Sequence, residues 1–475
     1  MRKILLATLV ALCGCGTALR AQINFPPVEY YEISQSDIDR AQQLLDTPLK
    51  KPLEYPNPAK GAQWYPQASL GLFMHWGIHS MLGAQPSWAM INHYRYNGGY
   101  KSKELYYGQA EKFNPEFNAD KYLEAAKEAG FNYAVLTTRH HDGYCLWPSR
   151  YGIGTKQFLG GRDLVKEYVE ACRKAGLKVG FYYSPRDWLY PGTYDEKFFD
   201  NNTRGQITAI SDPAEREKEY TKMLGYVMAQ IEELLTNYGK IDILWLDGMW
   251  MMGVTDHHND QVYAWIRSIQ PDIVINDRWS NIVNPDNPDG TSVRVGDFTT
   301  PFECDKPTYA PSQWWEHCHI WTCGGGGWGY DKTGTFRPMS WFFDEYVTTR
   351  SLGGNFLPNV GPDGNGDMHP NFYRQIDSLK TWMAHSRESL DGAGPTPGAR
   401  LANVPLTTRG KDIWYAHLLP QFKGQASVLT GKKPKSATLL RTGETVDYEY
   451  VCGAVIFKLP EDSRTKTDDV VKITL

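Results

Sequence analysis

The chain has 475 residues, which is enough for one large barrel of about 250 to 350 residues and a smaller domain. Its 50 Lys and Arg residues nearly balance its 54 Asp and Glu residues, and no basic block stands out, which argues against nucleic acid as a partner. The 16 Trp and 29 Tyr residues favour carbohydrate weakly, because aromatic faces pack on sugar rings as well as in ordinary cores.

The first residues have the character of an export signal. Met1-Arg2-Lys3 forms a cationic head, and the apolar run from Ile4 to Leu12 is too short to span a membrane. We expect residues 1–21 to be a signal peptide, with cleavage after Ala21, and the protein to be periplasmic. Alternatively, lipidation of Cys15 would produce an anchored lipoprotein. The cysteines beyond the signal show neither a zinc spacing nor a dense disulfide framework.

A Pro-rich extension, residues 22–66, precedes a long region in which helical patterns alternate with short apolar strands, and we expect it to pack on that region. The helices begin at capping residues such as Asn118, Asp163 and Asp212. The predicted strands include 70–77, 133–137, 178–183, 241–246, 272–275 and 355–360. Residues 281–335 are predicted to be irregular.

Alternation of helix and strand predicts a parallel sheet. About eight strands, with His75 on the first and Asn359 on the last, favour a closed barrel over an open sheet. After about residue 395 the hydrophobic period changes to two, which is typical of antiparallel strands. We therefore predict an α/β fold in which residues 67–392 form a (β/α)8-like barrel and residues 393–475 form a C-terminal antiparallel β-sandwich domain.

Asp247 ends the apolar strand Ile241 to Leu246 and is followed by Gly248. The C-terminal ends of barrel strands carry the chemistry, because their loops converge on one mouth. Taken alone, such an aspartate is more often a turn or helix-capping residue than a catalyst. Other strand ends supply groups that exchange hydrogen bonds with sugar hydroxyls or hold oxygen pairs. These residues are His75, His140, His141, Tyr183 and Arg278.

The histidines also raise the alternative of a metal site. Adjacent residues on a continuing strand point to opposite faces, which separates His140 from His141. His317 and His319 lack an acidic or cysteine pair at a zinc-like spacing. We therefore predict neither a metal nor a cofactor.

Hydrolysis of a glycoside with retention needs two carboxyl groups, one that attacks the anomeric carbon and one that protonates the leaving oxygen. Asp247 is the candidate for the first. Glu303 and Glu316 are both candidates for the second. Each has an apolar neighbour, Phe302 or Trp315, and desolvation by such a neighbour raises a carboxyl pKa as a general acid requires.

Six sequence motifs follow one another in order between Trp64 and Trp382, and together they are far more specific than any one of them. They are Phe73-Met74-His75-Trp76-Gly77, Thr137-Thr138-Arg139-His140-His141-Asp142-Gly143, Tyr182-Tyr183-Ser184, Trp245-Leu246-Asp247-Gly248, Asn276-Asp277-Arg278-Trp279, and Gly353-Gly354-Asn355-Phe356-Leu357 with Asn359-Val360-Gly361-Pro362. With these motifs the chain resembles the α-L-fucosidases of glycoside hydrolase family 29.

The resemblance implies a retaining exo-α-L-fucosidase that removes terminal fucose from oligosaccharides or glycoconjugates, so a fucosylated glycan is the expected partner. It implies that Asp247 is the nucleophile and that Glu303 is the acid/base, with Phe302 as a one-residue insertion; Glu316 is the alternative acid and otherwise a substrate-binding residue. It further implies that Trp328 lies near the 5-methyl group. The implied contacts to the fucose ring are His75, Trp88, His140, His141, Tyr183, Trp245 and Arg278.

One departure concerns the segment after the first strand. Many family members have Glu-Trp-Tyr where this chain has Ser87-Trp88-Ala89, so a carboxylate that usually contacts the sugar is absent. Because L-galactose differs from L-fucose only by a hydroxyl on the exocyclic carbon, α-L-galactosidase activity is the nearest alternative. A non-catalytic sugar-binding barrel is the alternative from another class.

Overall fold

The computed structural model describes residues 28–91, 99–191, 210–248, 259–279, 295–395 and 401–475. The predicted signal peptide, with Cys15 and the cleavage site, lies outside these residues. Within the described ranges, no helix is both long enough and apolar enough to cross a membrane.

The strands follow one another along most of the chain. They are β1 (Gly71–Met74), β2 (Tyr133–Arg139), β3 (Tyr144–Cys145), β4 (Ile153–Gly154), β5 (Lys178–Tyr183), β6 (Ile243–Leu246), β7 (Val274–Ile275), β8 (Phe298–Glu303), β9 (Trp314–Ile320), β10 (Asn355–Asn359), β11 (Gly394–Pro395), β12 (Leu406–Arg409), β13 (Ile413–Leu418), β14 (Ala426–Leu429), β15 (Ser436–Leu439), β16 (Glu449–Val451), β17 (Ala454–Phe457) and β18 (Asp469–Thr474).

The helices separate the barrel strands. They are α1 (Gln35–Asp46), α2 (Lys103–Tyr107), α3 (Ala119–Glu128), α4 (Thr155–Phe158), α5 (Leu164–Ala175), α6 (Pro213–Thr236), α7 (Asn259–Ile269), α8 (Met339–Ser351) and α9 (Pro370–Ser386). Helix α5 illustrates why they form where they do. The Asp163 side chain accepts a hydrogen bond from Lys166 N at 2.9 Å, and the helix ends at Gly176 with a φ of 72°.

Eight parallel strands form one sheet in the order β7-β6-β5-β2-β1-β10-β9-β8. The two edge strands meet through a parallel bridge between Asn276 and Phe298. Two backbone hydrogen bonds support this junction, from Asp277 N to Phe298 O at 2.9 Å and from Asp297 N to Ile275 O at 2.7 Å. The predicted (β/α)8-like barrel is confirmed.

The prediction of irregular structure over residues 281–335 was wrong for two barrel strands, β8 and β9, and its first part, residues 281–294, lies outside the described residues. Strand β8 contains Pro301 and a register shift between Thr299 and Phe302, so it lacks the uninterrupted apolar run of a buried strand. Strand β9 carries Glu316, His317 and His319 among its buried or nearly buried residues. Such buried polar residues interrupt the apolar run by which a barrel strand is predicted from sequence.

The barrel interior is filled by large side chains below the mouth. Phe73, Tyr133, Tyr182, Trp245 and other inward residues form one buried cluster. Tyr65, from the segment before β1, belongs to the same cluster and is fully buried. The extension that precedes the barrel therefore supplies part of its packed core.

The C-terminal strands form two antiparallel sheets, ordered β11-β12-β13-β18-β15 and β14-β17-β16. A separate apolar cluster, which includes Trp414, Val428, Val455 and Ile473, fills the space between them. The predicted β-sandwich is thus confirmed. It is tied to the barrel by a hydrogen bond from Trp382 Nε1, on α9, to Asp468 O at 2.7 Å.

Candidate active site

A cavity of about 710 Å³ opens at the C-terminal ends of the barrel strands. The predicted residues that line it are His75, Trp88, His140, His141, Trp245, Asp247, Arg278, Glu303 and Trp328. They come from most of the barrel strands, and they meet because the strands are parallel and end on one face. The volume suits a small ligand, since binding sites of this kind have volumes of about 300 to 1,000 Å³.

Asp247 follows β6 and is held through both carboxylate oxygens. Oδ2 accepts a hydrogen bond from the hydroxyl of Tyr182 at 2.8 Å, and Oδ1 accepts one from Arg278 Nη1 at 3.0 Å. The residue is 8% exposed. A carboxylate fixed in this way by two donors presents a defined oxygen pair to the cavity.

Arg278 joins the two predicted catalytic carboxylates. Its Nη1 bonds Asp247, its Nη2 bonds Glu303, and its Nε donates to Thr300 Oγ1 at 2.8 Å. The guanidinium lies 4.7 Å from the ring centre of Trp245. Although burial of the guanidinium opposes its charge, Glu303 and Asp247 raise the pKa of Arg278 above its ordinary value. The Glu303 side chain is 42% exposed, so of the two carboxylates that contact Arg278 it is the one nearer to solvent.

His75 is held from behind by an asparagine. Its Nδ1 lies 2.7 Å from Asn359 Oδ1, and Asn359 Nδ2 donates to the carbonyl of Trp328 at 2.7 Å. The amide oxygen of Asn359 only accepts, so Nδ1 of His75 carries the proton and Nε2 is an acceptor. Burial lowers the pKa of His75 to about 3, so the ring is neutral near pH 7.

His141 has a similar arrangement. Its Nδ1 lies 2.7 Å from the hydroxyl of Ser184, which itself donates to Arg186 O at 2.9 Å. The serine oxygen therefore accepts from Nδ1, and Nε2 is left as an acceptor 4.0 Å from Asp247 Oδ2. Burial, followed by the charges of Arg186 and Arg139, lowers the pKa of His141 well below its ordinary value.

His140 is positioned by Ser87, the residue at which the chain departs from the family motif. Ser87 Oγ lies 2.5 Å from His140 Nδ1 and also accepts a hydrogen bond from Asp142 N at 2.8 Å. Ser87 is fully buried and does not line the cavity. Its hydroxyl therefore orients a cavity residue rather than contacting a ligand.

Aromatic rings form the walls. Tyr182 stacks between His140 and Trp245, with centroid distances of 5.5 Å to each. Trp328 lies 5.2 Å from His75 and 6.0 Å from Phe73. The cavity thus combines neutral hydrogen-bonding groups with apolar ring surfaces, which is the chemistry that sugar rings require.

The comparisons with known proteins decide the family. A family model described as Alpha-L-fucosidase matches residues 38–388, which is most of the chain. The chain belongs to this family. It is therefore a glycoside hydrolase, and the strand-end residues described above lie in its α-L-fucosidase region.

Individual relatives agree with the family match. The tissue alpha-L-fucosidase of Bos taurus is 27% identical over 354 residues, which cover 70% of this chain and 69% of that protein. Alpha-L-fucosidase isoenzyme 1 from Paenibacillus thiaminolyticus is 27% identical with a TM-score of 0.71, covering 88% of this chain and 99% of its own. A GH29 alpha-L-fucosidase from Bacteroides thetaiotaomicron, trapped as a covalent intermediate, shares the fold at 23% identity and a TM-score of 0.74, with 90% and 99% covered.

The structure corrects the predicted position of Tyr183. Its hydroxyl donates to Gln230 Oε1 at 2.9 Å and its ring lies 4.6 Å from the Arg139 guanidinium, away from the cavity. The preceding residue, Tyr182, lines the cavity and bonds Asp247. Neighbouring residues of a strand point to opposite faces, so only one tyrosine of the pair can enter the α-L-fucosidase cavity.

The structure also corrects the expected position of Glu316. This residue is fully buried in the barrel interior and does not line the cavity. Its carboxylate accepts hydrogen bonds from Tyr65 at 3.2 Å, Tyr133 at 2.5 Å and Trp245 Nε1 at 2.9 Å. Burial raises the pKa of Glu316 to about 7, although these hydrogen bonds lower it. Glu316 therefore supports Trp245 from below, where a leaving group cannot reach it.

Several residues that line the cavity were not predicted as site residues. Besides Tyr182, they are Phe73, Gln85, Cys304, Cys318, His319, Ile320, Gly327 and Arg337. Gln85 lines the cavity and accepts a hydrogen bond from Trp328 N at 2.8 Å. Arg337 also lines it, and no motif marks either residue. The sequence marks Asn359 only as the end of the last strand, because its contact with His75 depends on the closure of the barrel.

Histidine side chains are common metal ligands. Among the residues that the structure describes, no group of three or more His, Cys, Asp or Glu side chains is arranged to hold a metal ion. Instead, a serine, an asparagine or a backbone carbonyl contacts each cavity histidine at Nδ1. The absence of a metal requirement stays a prediction.

Proposed function

We propose that this protein hydrolyses terminal α-L-fucosides by double displacement, with Asp247 as nucleophile and Glu303 as acid/base. The observation that carries the proposal is the pairing of both carboxylates with one guanidinium, that of Arg278, at the mouth of the cavity. Two carboxyl groups on opposite sides of one scissile bond are what retaining hydrolysis requires. The covalent intermediate trapped in the Bacteroides thetaiotaomicron relative supports this mechanism.

Asp247 has the properties of the nucleophile. Both of its oxygens are oriented, by Tyr182 and Arg278, so the attack needs little reorganisation of the carboxylate. In the first step an oxygen of Asp247 bonds to the anomeric carbon as the glycosidic bond breaks. In the second step, water displaces the carboxylate and the configuration of the sugar is restored.

Glu303 has the position of the acid/base. It lies at the exposed side of the carboxylate pair, where a leaving group departs and water enters. In the described structure its carboxylate is held by Arg278, whereas the first step needs Glu303 to face the leaving oxygen. The proposal therefore requires that a bound substrate separate Glu303 from Arg278, while Arg278 remains with Asp247.

The remaining walls fit a deoxy sugar. His75 and His141 offer acceptor nitrogens to hydroxyl groups, as deduced from their partners Asn359 and Ser184. Trp328 and Phe73 provide an apolar surface beside His75 that suits a methyl group. This surface favours L-fucose over L-galactose, whose extra hydroxyl would lose its hydration there.

The proposal is tested with Asp247→Ala and an aryl α-L-fucoside. The variant should fold normally and lose roughly a thousandfold or more of kcat, because no nucleophile remains. Added azide should restore part of the activity and yield the inverted β-L-fucosyl azide, identified by NMR. Unimpaired turnover by the variant would remove Asp247 from its role.

The same assay, run with the wild-type protein, separates the alternative functions. A sugar-binding barrel would bind the aryl α-L-fucoside without releasing the phenol. An α-L-galactosidase would show a higher kcat/KM for the aryl α-L-galactoside than for the fucoside.

We also propose that the protein is exported to the periplasm. The support is the sequence of the first residues, a cationic Met1-Arg2-Lys3 followed by the apolar run to Leu12. The mass of the mature protein from cell fractions tests this proposal. Cleavage after Ala21 gives a soluble periplasmic product, whereas lipidation at Cys15 gives a membrane-bound product of higher mass.

A further inference from the structure

One side of the cavity takes no part in the chemistry proposed above. Beyond Glu303 the cavity is lined by Cys304, His319, Ile320 and Arg337. Because Glu303 would protonate the leaving oxygen, this side lies where the departing sugar must sit. Its composition therefore bears on which leaving groups the protein accepts.

Arg337 is anchored on this side. Its Nε donates to Ile320 O at 3.1 Å, and its guanidinium lies 5.0 Å from the ring centre of Trp341. These two contacts hold the planar group in one orientation, and no other described residue hydrogen-bonds its terminal nitrogens. A stacked guanidinium loses less conformational entropy on binding than a lysine side chain does.

The two arginines of the cavity differ in their partners. Arg278 is bonded to Asp247 and Glu303. Within the described ranges, by contrast, no carboxylate oxygen lies within the 4.0 Å ion-pair distance of Arg337. Arg337 thus brings a positive charge to the cavity wall without a direct carboxylate partner.

The described charged groups around Arg337 include Asp305 and Glu345, and the charge of Arg337 acts on the buried carboxyl of Glu345. Asp305 is exposed and acts on His319 through its charge, as does Arg337. Burial, and then the charge of Arg337, lowers the pKa of His319 to about 4, so this ring is neutral near pH 7. His319 can therefore donate or accept a hydrogen bond there without adding charge.

We infer that this wall is a subsite for an anionic substituent, a sulfate ester or a carboxylate, on the sugar from which fucose is removed. The inference rests on the proposed function and adds a class of substrate to it. A planar guanidinium forms two parallel hydrogen bonds with either group, and such charge-assisted bonds are stronger than neutral ones. The preference for an anionic leaving sugar would come from Arg337 on the leaving-group side of the cavity. It would not depend on the residues that contact the fucose ring.

The test compares kcat/KM for three fucosyl disaccharides with the same linkage. One has a neutral leaving sugar, the second carries a sulfate ester on that sugar, and the third carries a carboxylate. We expect the wild-type protein to prefer at least one anionic substrate by about tenfold or more, as a charge-assisted hydrogen bond supports. The preference should weaken at high ionic strength.

Variants then assign the preference to one residue. Arg337→Gln should bring the ratio of anionic to neutral kcat/KM close to one. Lys332→Gln is the matched control, because Lys332 is exposed, carries the same charge and does not line the cavity. It should keep the wild-type ratio, and unchanged melting temperatures would show that both variants fold.

Two sets of results overturn the inference, and they are distinguishable. If the wild-type protein hydrolyses the neutral disaccharide but shows no preference for an anionic one, the subsite is disproved while the proposed function stands. The same holds if both variants change the ratio equally. If the wild-type protein hydrolyses none of the three disaccharides nor the aryl fucoside, the proposed function itself has failed.

Discussion

Arg278 contacts both Asp247 and Glu303, so this contact does not distinguish the nucleophile from the acid/base. The two carboxylates differ instead in their exposure and in their other partners. Asp247 is nearly buried and held by two donors, whereas the side chain of Glu303 is 42% exposed. The buried carboxylate is suited to covalent attack, and the exposed one to exchange of a proton with a leaving group or with water. This difference can be tested at the level of single residues.

We predict that Glu303→Gln and Glu316→Gln differ in their dependence on the leaving group. A general acid matters most when the leaving group is poor. Glu303→Gln should therefore slow hydrolysis of a fucosyl disaccharide far more than cleavage of a nitrophenyl fucoside, and it should lose the alkaline limb of the pH profile. Glu316→Gln should affect both substrates equally, because Glu316 does not line the cavity and contacts its wall through Trp245.

The opposite pattern would return the acid role to Glu316. That outcome requires a route from a residue buried beneath Trp245 to the cavity, and the structure shows none within the described residues. Steady-state kinetics with the two substrates at several pH values provides the measurement.

Most residues of the site could be predicted because each follows a strand. His75, Asp247 and Arg278 stand at the ends of apolar runs, and strand ends converge in a barrel. The choice between Tyr182 and Tyr183 could not be made, because Phe181-Tyr182-Tyr183 is aromatic throughout and has no inside-outside alternation. Gln85 and Arg337 lie outside the strands, so only the folded chain brings them to the cavity.

At the scale of elements, the glycine-rich loop that carries Trp328 is fitted closely to its neighbours. Gly327 has a φ of 60°, and a Cβ there would lie 1.8 Å from Gln85 Oε1. That oxygen is the acceptor for Trp328 N. A side chain at Gly327 must therefore break the contact that holds the tryptophan over the cavity.

We predict that Gly327→Ala raises KM for the aryl fucoside by about tenfold, the effect of losing one well-placed contact of about 1.4 kcal/mol. Gly325→Ala is the control, because Gly325 also has a positive φ, of 127°, but a Cβ there meets no atom of the described residues within 4 Å. If both variants raise KM equally, backbone strain rather than the position of Trp328 is responsible.

Helices of the barrel were easier to predict than two of its strands. Asp163 and Asp212 each precede a helix, and each side chain accepts a hydrogen bond from a backbone N–H of the first turn. Residue type and position are sufficient to predict such a cap. The strands β8 and β9 carry Pro301 and the inward Glu316, which oppose the apolar pattern. Strand β8 carries Glu303 of the cavity, and strand β9 carries Glu316, which supports Trp245. Their sequences therefore contain polar residues that packing alone would not require.

For the whole molecule, the buried Glu316 makes stability depend on pH. Its pKa is raised from 4.5 to about 7 in the folded protein, so folding favours the protonated carboxyl. The resulting stabilisation is complete below pH 4.5 and is lost as the pH rises through 7. A shift of this size corresponds to about 3 kcal/mol.

We predict that Glu316→Gln becomes more stable relative to the wild-type protein as the pH rises from 4.5 to 7.5, because the amide does not ionise. Free energies of unfolding from denaturant titrations at several pH values measure this difference. Other groups titrate equally in both proteins and cancel. A difference that stays constant with pH would show that Glu316 is not the group responsible.

We predict that prolonged treatment with a chelator leaves the activity unchanged. The proposed chemistry uses two carboxyl groups and fixed hydrogen-bond donors, and neither step needs a metal ion. Assays with the aryl fucoside before and after treatment provide the measurement. A loss that zinc or calcium reverses would show that histidines of the chain bind a metal.

The amide of Asn359 links two contacts that a ligand would otherwise make independently. One end of the amide holds His75 and the other holds the peptide of Trp328. A sugar that displaces Trp328 must therefore also turn the imidazole on which one of its hydroxyls depends, so the two contacts form cooperatively. A double-mutant cycle over His75→Ala and Trp328→Ala should accordingly show a combined loss in fucose affinity smaller than the sum of the single losses, and additive losses would mean that the amide does not transmit the change.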